Sequence, residues 1–185
     1  MSPPLRPAPA WTISQWFNVE GKPPTLDTLH GRVVVLYAFQ MLCPSCVEHS
    51  VPQIRRVREL FAPETVAVIG LHTVFEHHSA MTPTALEAFL HEYRITIPVG
   101  VDAPAEDGSA LPQTMRRYDL QGTPTTALLD RDGKVRRKSL GHIPDLRLGA
   151  EIMALVSESP PATQAAVQEN ASPATGFCPA TPRTG

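Results

Sequence analysis

Val33-Val34-Val35-Leu36-Tyr37-Ala38-Phe39-Gln40-Met41-Leu42-Cys43-Pro44-Ser45-Cys46 is the stretch on which the reading of the fold turns. Its first seven residues are a continuous apolar run. A strand with one wet face alternates, whereas an unbroken run reads as a strand buried on both faces, as in a parallel sheet. Beyond the cysteines, Val47, Val51, Ile54 and Phe61 recur at helical spacing, and Pro63 marks the end. Pro52 inside that helix predicts a kink. The two cysteines therefore stand where a buried strand passes into a helix.

That position has chemical consequences. Pro44 falls at the first helical position, where its missing N–H costs nothing. The Cys43 sulfur then sits at a helix N-terminus, beside free backbone N–H groups and the positive end of the dipole. Such an environment favours the thiolate, the form that attacks disulfides. Cys46, one turn on, is near enough to displace a mixed disulfide. Two other readings compete: half of a zinc site, and inert buried thiols. A structural zinc needs four ligands, and the only other cysteine is Cys178, near the end of the chain. With no second cysteine pair to complete such a site, redox chemistry is favoured and neither metal nor cofactor is expected. His49, three residues after Cys46, is a candidate proton acceptor for the resolving thiol.

Working outward, Thr65 to Leu71 repeats the buried-strand pattern. Thr84 and Glu87 have capping-box spacing, ahead of a helical stripe of Leu86, Phe89, Leu90 and Tyr93. Ile97 to Val101 reads as a further strand. Thr125 to Leu129, Asp130-Arg131-Asp132-Gly133 and Lys134 to Leu140 read as a hairpin. A last helix, Pro144 to Val156, carries Leu148, Ile152 and Leu155 on one side. Strands alternating with helices predict an α/β fold, and the terminal hairpin makes the central sheet mixed.

The ends differ in composition from this core. Eleven of the twenty prolines lie in residues 1–24 or 158–185. Residues 1–10 read as a flexible N-terminus, 11–156 as the folded domain, and 157–185 as a disordered tail rich in Pro, Ala, Ser and Thr. The first ten residues lack the basic start and the apolar stretch of about 7–15 residues of a secretory signal, so a cytoplasmic location is expected. A net charge of −2, from 16 basic and 18 acidic residues, argues against nucleic acid or anionic membrane as partner. Glu76-His77-His78, with His72 nearby, could suggest a metal but reads better as a polar loop. Arg131, Lys134, Arg136, Arg137 and Lys138 on or beside the hairpin read as edge-strand charges that block aggregation. Cys178 reads as a bystander.

Gly122-Thr123-Pro124-Thr125 opens the strand that leads into the hairpin. Together with the strand-Cys-Pro-x-Cys-helix unit and the Asp-Gly turn, in that order, it resembles the thioredoxin superfamily, specifically its TlpA-like or redoxin branch. The resemblance covers roughly Thr25 to Leu155. It implies a thioredoxin-like fold with a helix–strand insertion (Thr84 to Val101) between the two motifs. It also implies a cis Pro124 facing the reactive pair, and substrate contact by Pro44, Ser45, Thr123 and Pro124. The implied activity is thiol–disulfide exchange with a disulfide-containing protein or small thiol, served by an external donor such as a thioredoxin or glutathione system. The Cys-Pro-x-Cys form implies a pair more oxidising than thioredoxin's own. Leu42 replaces the usual Trp before the first cysteine, and Tyr37 stands where thioredoxin has a buried acid. The rival activity is a peroxiredoxin-like peroxidase, whose Pro-x-x-x-Thr-x-x-Cys motif is missing because Leu36 and Gln40 fill the two positions. A non-catalytic binding protein on the same fold is a third reading.

Overall fold

The computed structural model describes residues 5–158, so Cys178 and nearly all of the tail lie outside the described residues. Six strands, β1 (Ile13–Phe17), β2 (Val33–Phe39), β3 (Val66–His72), β4 (Val99–Asp102), β5 (Thr125–Leu129) and β6 (Val135–Leu140), form one sheet in the order β1-β4-β3-β2-β5-β6. β2, β3 and β4 run parallel, while β1 with β4, β2 with β5, and β5 with β6 pair antiparallel. The helices are α1 (Val51–Leu60), α2 (Pro83–Glu92), α3 (Gln113–Arg117) and α4 (Asp145–Ser157). This is the mixed α/β architecture expected, with α2 and β4 lying between the cysteine motif and the Thr123-Pro124 turn. Among the described residues, no helix is long and apolar enough to cross a membrane.

All seven residues of β2 are buried, because the strand is central and covered on both faces. Side chains alternate across a strand, so Val33, Val35, Tyr37 and Phe39 join Ile54, Leu86, Leu148 and Ile152 in one core. Val34, Leu36 and Ala38 face the other way, onto Leu29, Met115, Tyr118 and Leu120. Leu148, Ile152 and Leu155 are the buried residues of α4, each stabilising by about 1.5–3 kcal/mol. These two layers hold the C-terminal end of β2, and with it Cys43, in a fixed place.

Several elements differ from the sequence expectation. The kink expected at Pro52 takes the form of a π-helical turn over Cys46–Ser50, in which the Val51 N–H reaches back to the Cys46 carbonyl. A proline ring collides with the carbonyl four residues back; the wider turn removes the clash, and α1 starts with Pro52 in its first turn. The cap of α2 is Thr82, not Thr84: its Oγ1 accepts from the Ala85 N–H at 3.2 Å, and Pro83 occupies the first helical position. β1 and α3 have no counterpart in the sequence reading. The N-terminal stretch read as flexible is paired at residues 6–8, where the Ala8 N–H donates to the Gly133 carbonyl and the Val135 N–H to that of Arg6. The hairpin cations are drawn into pairs, Arg136 with Glu158 at 2.5 Å and Arg137 with Glu151 at 2.6 Å, along the edge strand β6.

Candidate active site

Cys43 leaves β2 through a tight turn in which its N–H donates to the Gln40 carbonyl at 3.2 Å, and its own carbonyl accepts from the Val47 N–H at 3.1 Å. Its thiol donates to the Thr123 carbonyl at 3.6 Å. The Thr123–Pro124 bond is cis, as the resemblance implies. Cys43 is half-buried and Cys46 fully buried, and both are free thiols. A groove of about 610 Å³ lies over Cys43, and Pro44, Ser45, Thr123 and Pro124 line it. Leu42, where thioredoxins carry Trp, is half-exposed at its rim.

The two sulfurs are not equivalent. Burial pushes the Cys46 thiol well above its ordinary value, and a hydrogen bond with Cys43 adds to the rise. The Gln40 backbone N–H and the Thr123 hydroxyl pull in the opposite direction without overcoming it. Cys46 is thus the shielded thiol of the pair, and Cys43 is the one that opens onto the groove.

Where a relative would bury an acid, Tyr37 donates from its hydroxyl to Gln53 Oε1 at 3.2 Å. Gln53 Nε2 in turn donates to the Ile143 carbonyl at 2.6 Å and to Asp145 Oδ1 at 2.7 Å. Burial drives the Tyr37 phenol far up, so this network ties α1 to α4 without supplying a proton near neutrality. His49 lies on the π-helical turn, half-exposed, with its ring 5.0 Å from that of His142 and its Nε2 3.9 Å from Glu48. No hydrogen bond joins His49 to either sulfur among the described residues.

The histidine-rich loop divides. His72 ends β3 fully buried, its ring 5.4 Å from Phe39 and its Nε2 accepting from the Met41 N–H at 3.5 Å. Glu76, His77 and His78 are exposed, and Glu76 and His77 line the groove. Among the described residues, no three His, Cys, Asp or Glu side chains converge as a metal site. Sequence reading missed Gln40 and Glu76 as parts of the site. The available signal was Gln40 itself, a polar residue continuing a buried strand just ahead of a cysteine.

A redoxin family model matches residues 6–167, the span that holds both motifs. The chain belongs to the redoxin family. This redoxin is 28% identical over 125 residues to a thiol-disulfide oxidoreductase ResA of Bacillus cereus; the alignment takes in 68% of this chain but only 64% of that relative's length. Among solved structures, a thioredoxin-like superfamily protein is 52% identical with a TM-score of 0.80, covering 84% of this chain and 99% of its own. A thiol-disulfide isomerase from Corynebacterium glutamicum is 45% identical with a TM-score of 0.77, covering 82% of this chain and 98% of its own.

Proposed function

We propose that this redoxin is a thiol–disulfide oxidoreductase that reduces polypeptide or small disulfides through the Cys43/Cys46 pair. The observation that carries this reading is the half-buried Cys43 sulfur on the groove floor against Thr123, with the buried Cys46 sulfur beside it. The Cys43 thiolate forms an S–S bond to one substrate sulfur, and the other leaves as a thiolate that takes a proton from solvent. Cys46 then loses its proton and attacks Cys43, releasing the second substrate thiol. The substrate gains two electrons and the protein is left with a Cys43–Cys46 disulfide. An external dithiol, such as a reduced thioredoxin, restores it by the reverse exchange. Names of the relatives support the same chemistry.

The test is insulin reduction with dithiothreitol as electron donor, run beside peroxide consumption. Wild-type protein should accelerate insulin precipitation and turn over hydrogen peroxide slowly. Cys43→Ser should abolish the effect, and Cys46→Ser should accumulate a mixed disulfide on Cys43. Full activity in Cys43→Ser would overturn the reading, and fast peroxide turnover at micromolar substrate would replace it with a peroxidase.

A further inference from the structure

The groove over Cys43 is electrically one-sided. Among its described lining residues there is no lysine or arginine; Glu76 is the one carboxylate and His77 the one imidazole. Glu76 has no ion-pair partner among the described residues. Its Oε1 instead accepts from Gln40 Nε2 at 3.3 Å. Gln40 is only 1% exposed, and the same Nε2 also donates to Thr123 Oγ1 at 3.4 Å. The other end of that amide, Oε1, is a buried acceptor with no partner. Gln40 thus links Glu76 to the Thr123 side of the groove, and no lysine or arginine among the described lining residues balances the carboxylate. Around them, Leu42 and Leu140 stand exposed at 54% and 60%, an apolar rim suited to the stems of side chains.

A ligand with its own carboxylates finds no lysine or arginine among the described lining residues to pair with. A ligand bringing an ammonium or guanidinium beside its disulfide finds a fixed counter-charge. We propose that Glu76, positioned by Gln40, selects substrates by charge: it favours polypeptide disulfides flanked by cationic residues and rejects anionic ones such as oxidised glutathione. The proposal rests on the oxidoreductase reading and specifies the substrate of that same site. Selection of this kind is a difference between two affinities, with the unfavourable partner as important as the favourable one. A unit charge about 4 Å from its counter-charge in water gains a factor of about five, and salt near 1 M should erase it.

Three small disulfides separate charge from shape: cystamine (cationic), hydroxyethyl disulfide (neutral) and oxidised glutathione (anionic). Reduced full-length protein is mixed with each at pH 7.5 and low salt, quenched with acid, and Cys43–Cys46 disulfide is counted by mass spectrometry. Comparing Glu76→Gln with wild type for each disulfide cancels its intrinsic reactivity. In the variant, cystamine should react about five-fold more slowly and oxidised glutathione about five-fold faster, with the factor for hydroxyethyl disulfide falling between the two. Gln40→Leu, which leaves the carboxylate but removes its tether, should move the rates in the same directions by less. Equal factors for all three disulfides in Glu76→Gln would overturn the selectivity while leaving the oxidoreductase reading standing. No Cys43–Cys46 disulfide with any of them would overturn that reading and this proposal with it.

Discussion

Acid should weaken this protein through one histidine. His72 is fully buried, and burial lowers its pKa from 6.5 to about 4. The unfolded chain binds a proton near pH 6.5, while the folded chain refuses it until about pH 4. Between those values the unfolded state holds more protons, so stability rises with pH across the window and is lost as pH falls through it. The gap of about 2.5 units, at about 1.36 kcal/mol each, amounts to about 3 kcal/mol by pH 4. A domain of this kind is stable by only about 5–15 kcal/mol, so the loss is large. His72→Gln removes the titration and keeps an acceptor for the Met41 N–H. Urea unfolding from pH 7.5 to 4 should show the wild-type free energy falling faster than the variant's, the two curves converging or crossing by about 3 kcal/mol. Parallel curves, with a constant offset at every pH, would refute the argument that a neutral buried imidazole makes the fold acid-sensitive.

Three further outcomes are expected. Iodoacetamide at pH 7.5 should label Cys43 well before Cys46, because Cys46 is fully buried and its thiol is raised by burial; mass spectrometry reads the site, and prior labelling of Cys46 would reverse the assignment. Asp102 accepts from the Thr114 and Met115 N–H groups at 2.7 and 2.8 Å and from the Thr73 hydroxyl at 3.0 Å. Asp102→Ala strands those buried donors at a total cost of about 3 kcal/mol, which should lower the thermal midpoint by about 6–12 °C; calorimetry showing a fall below 2 °C would refute it. We propose that His49 takes the proton from Cys46, so His49→Gln should slow mixed-disulfide resolution between pH 6 and 8 without altering Cys43 alkylation. Unchanged quench-flow rates would leave His49 as a surface partner of His142.

The sequence alone determined the elements whose signal is local and long. The unbroken apolar run Val33 to Phe39 reads as a buried strand, the Leu148, Ile152, Leu155 spacing as an amphipathic helix, and Cys43-Pro44-Ser45-Cys46 as the junction between strand and helix where the two thiols lie. Gly122-Thr123-Pro124-Thr125 added the wall opposite it by resemblance. Short elements escaped because neither period can express itself in so few residues: β1 has five residues with an irregular burial pattern, and α3 has five. Capping was misread at Thr84 because two hydroxyls lie two residues apart, and Pro83, which fits best at the first helical position, selects Thr82. Only the tertiary structure brought Glu76 from the loop after β3 to Gln40 at the end of β2 and to Thr123 before β5, positions 36 and 83 residues away from Gln40. Hydrogen bonds at that separation leave no trace in spacing or periodicity. They exist because the sheet order sets β3 and β5 on either side of β2, delivering the ends of both neighbours to the strand that carries the cysteine.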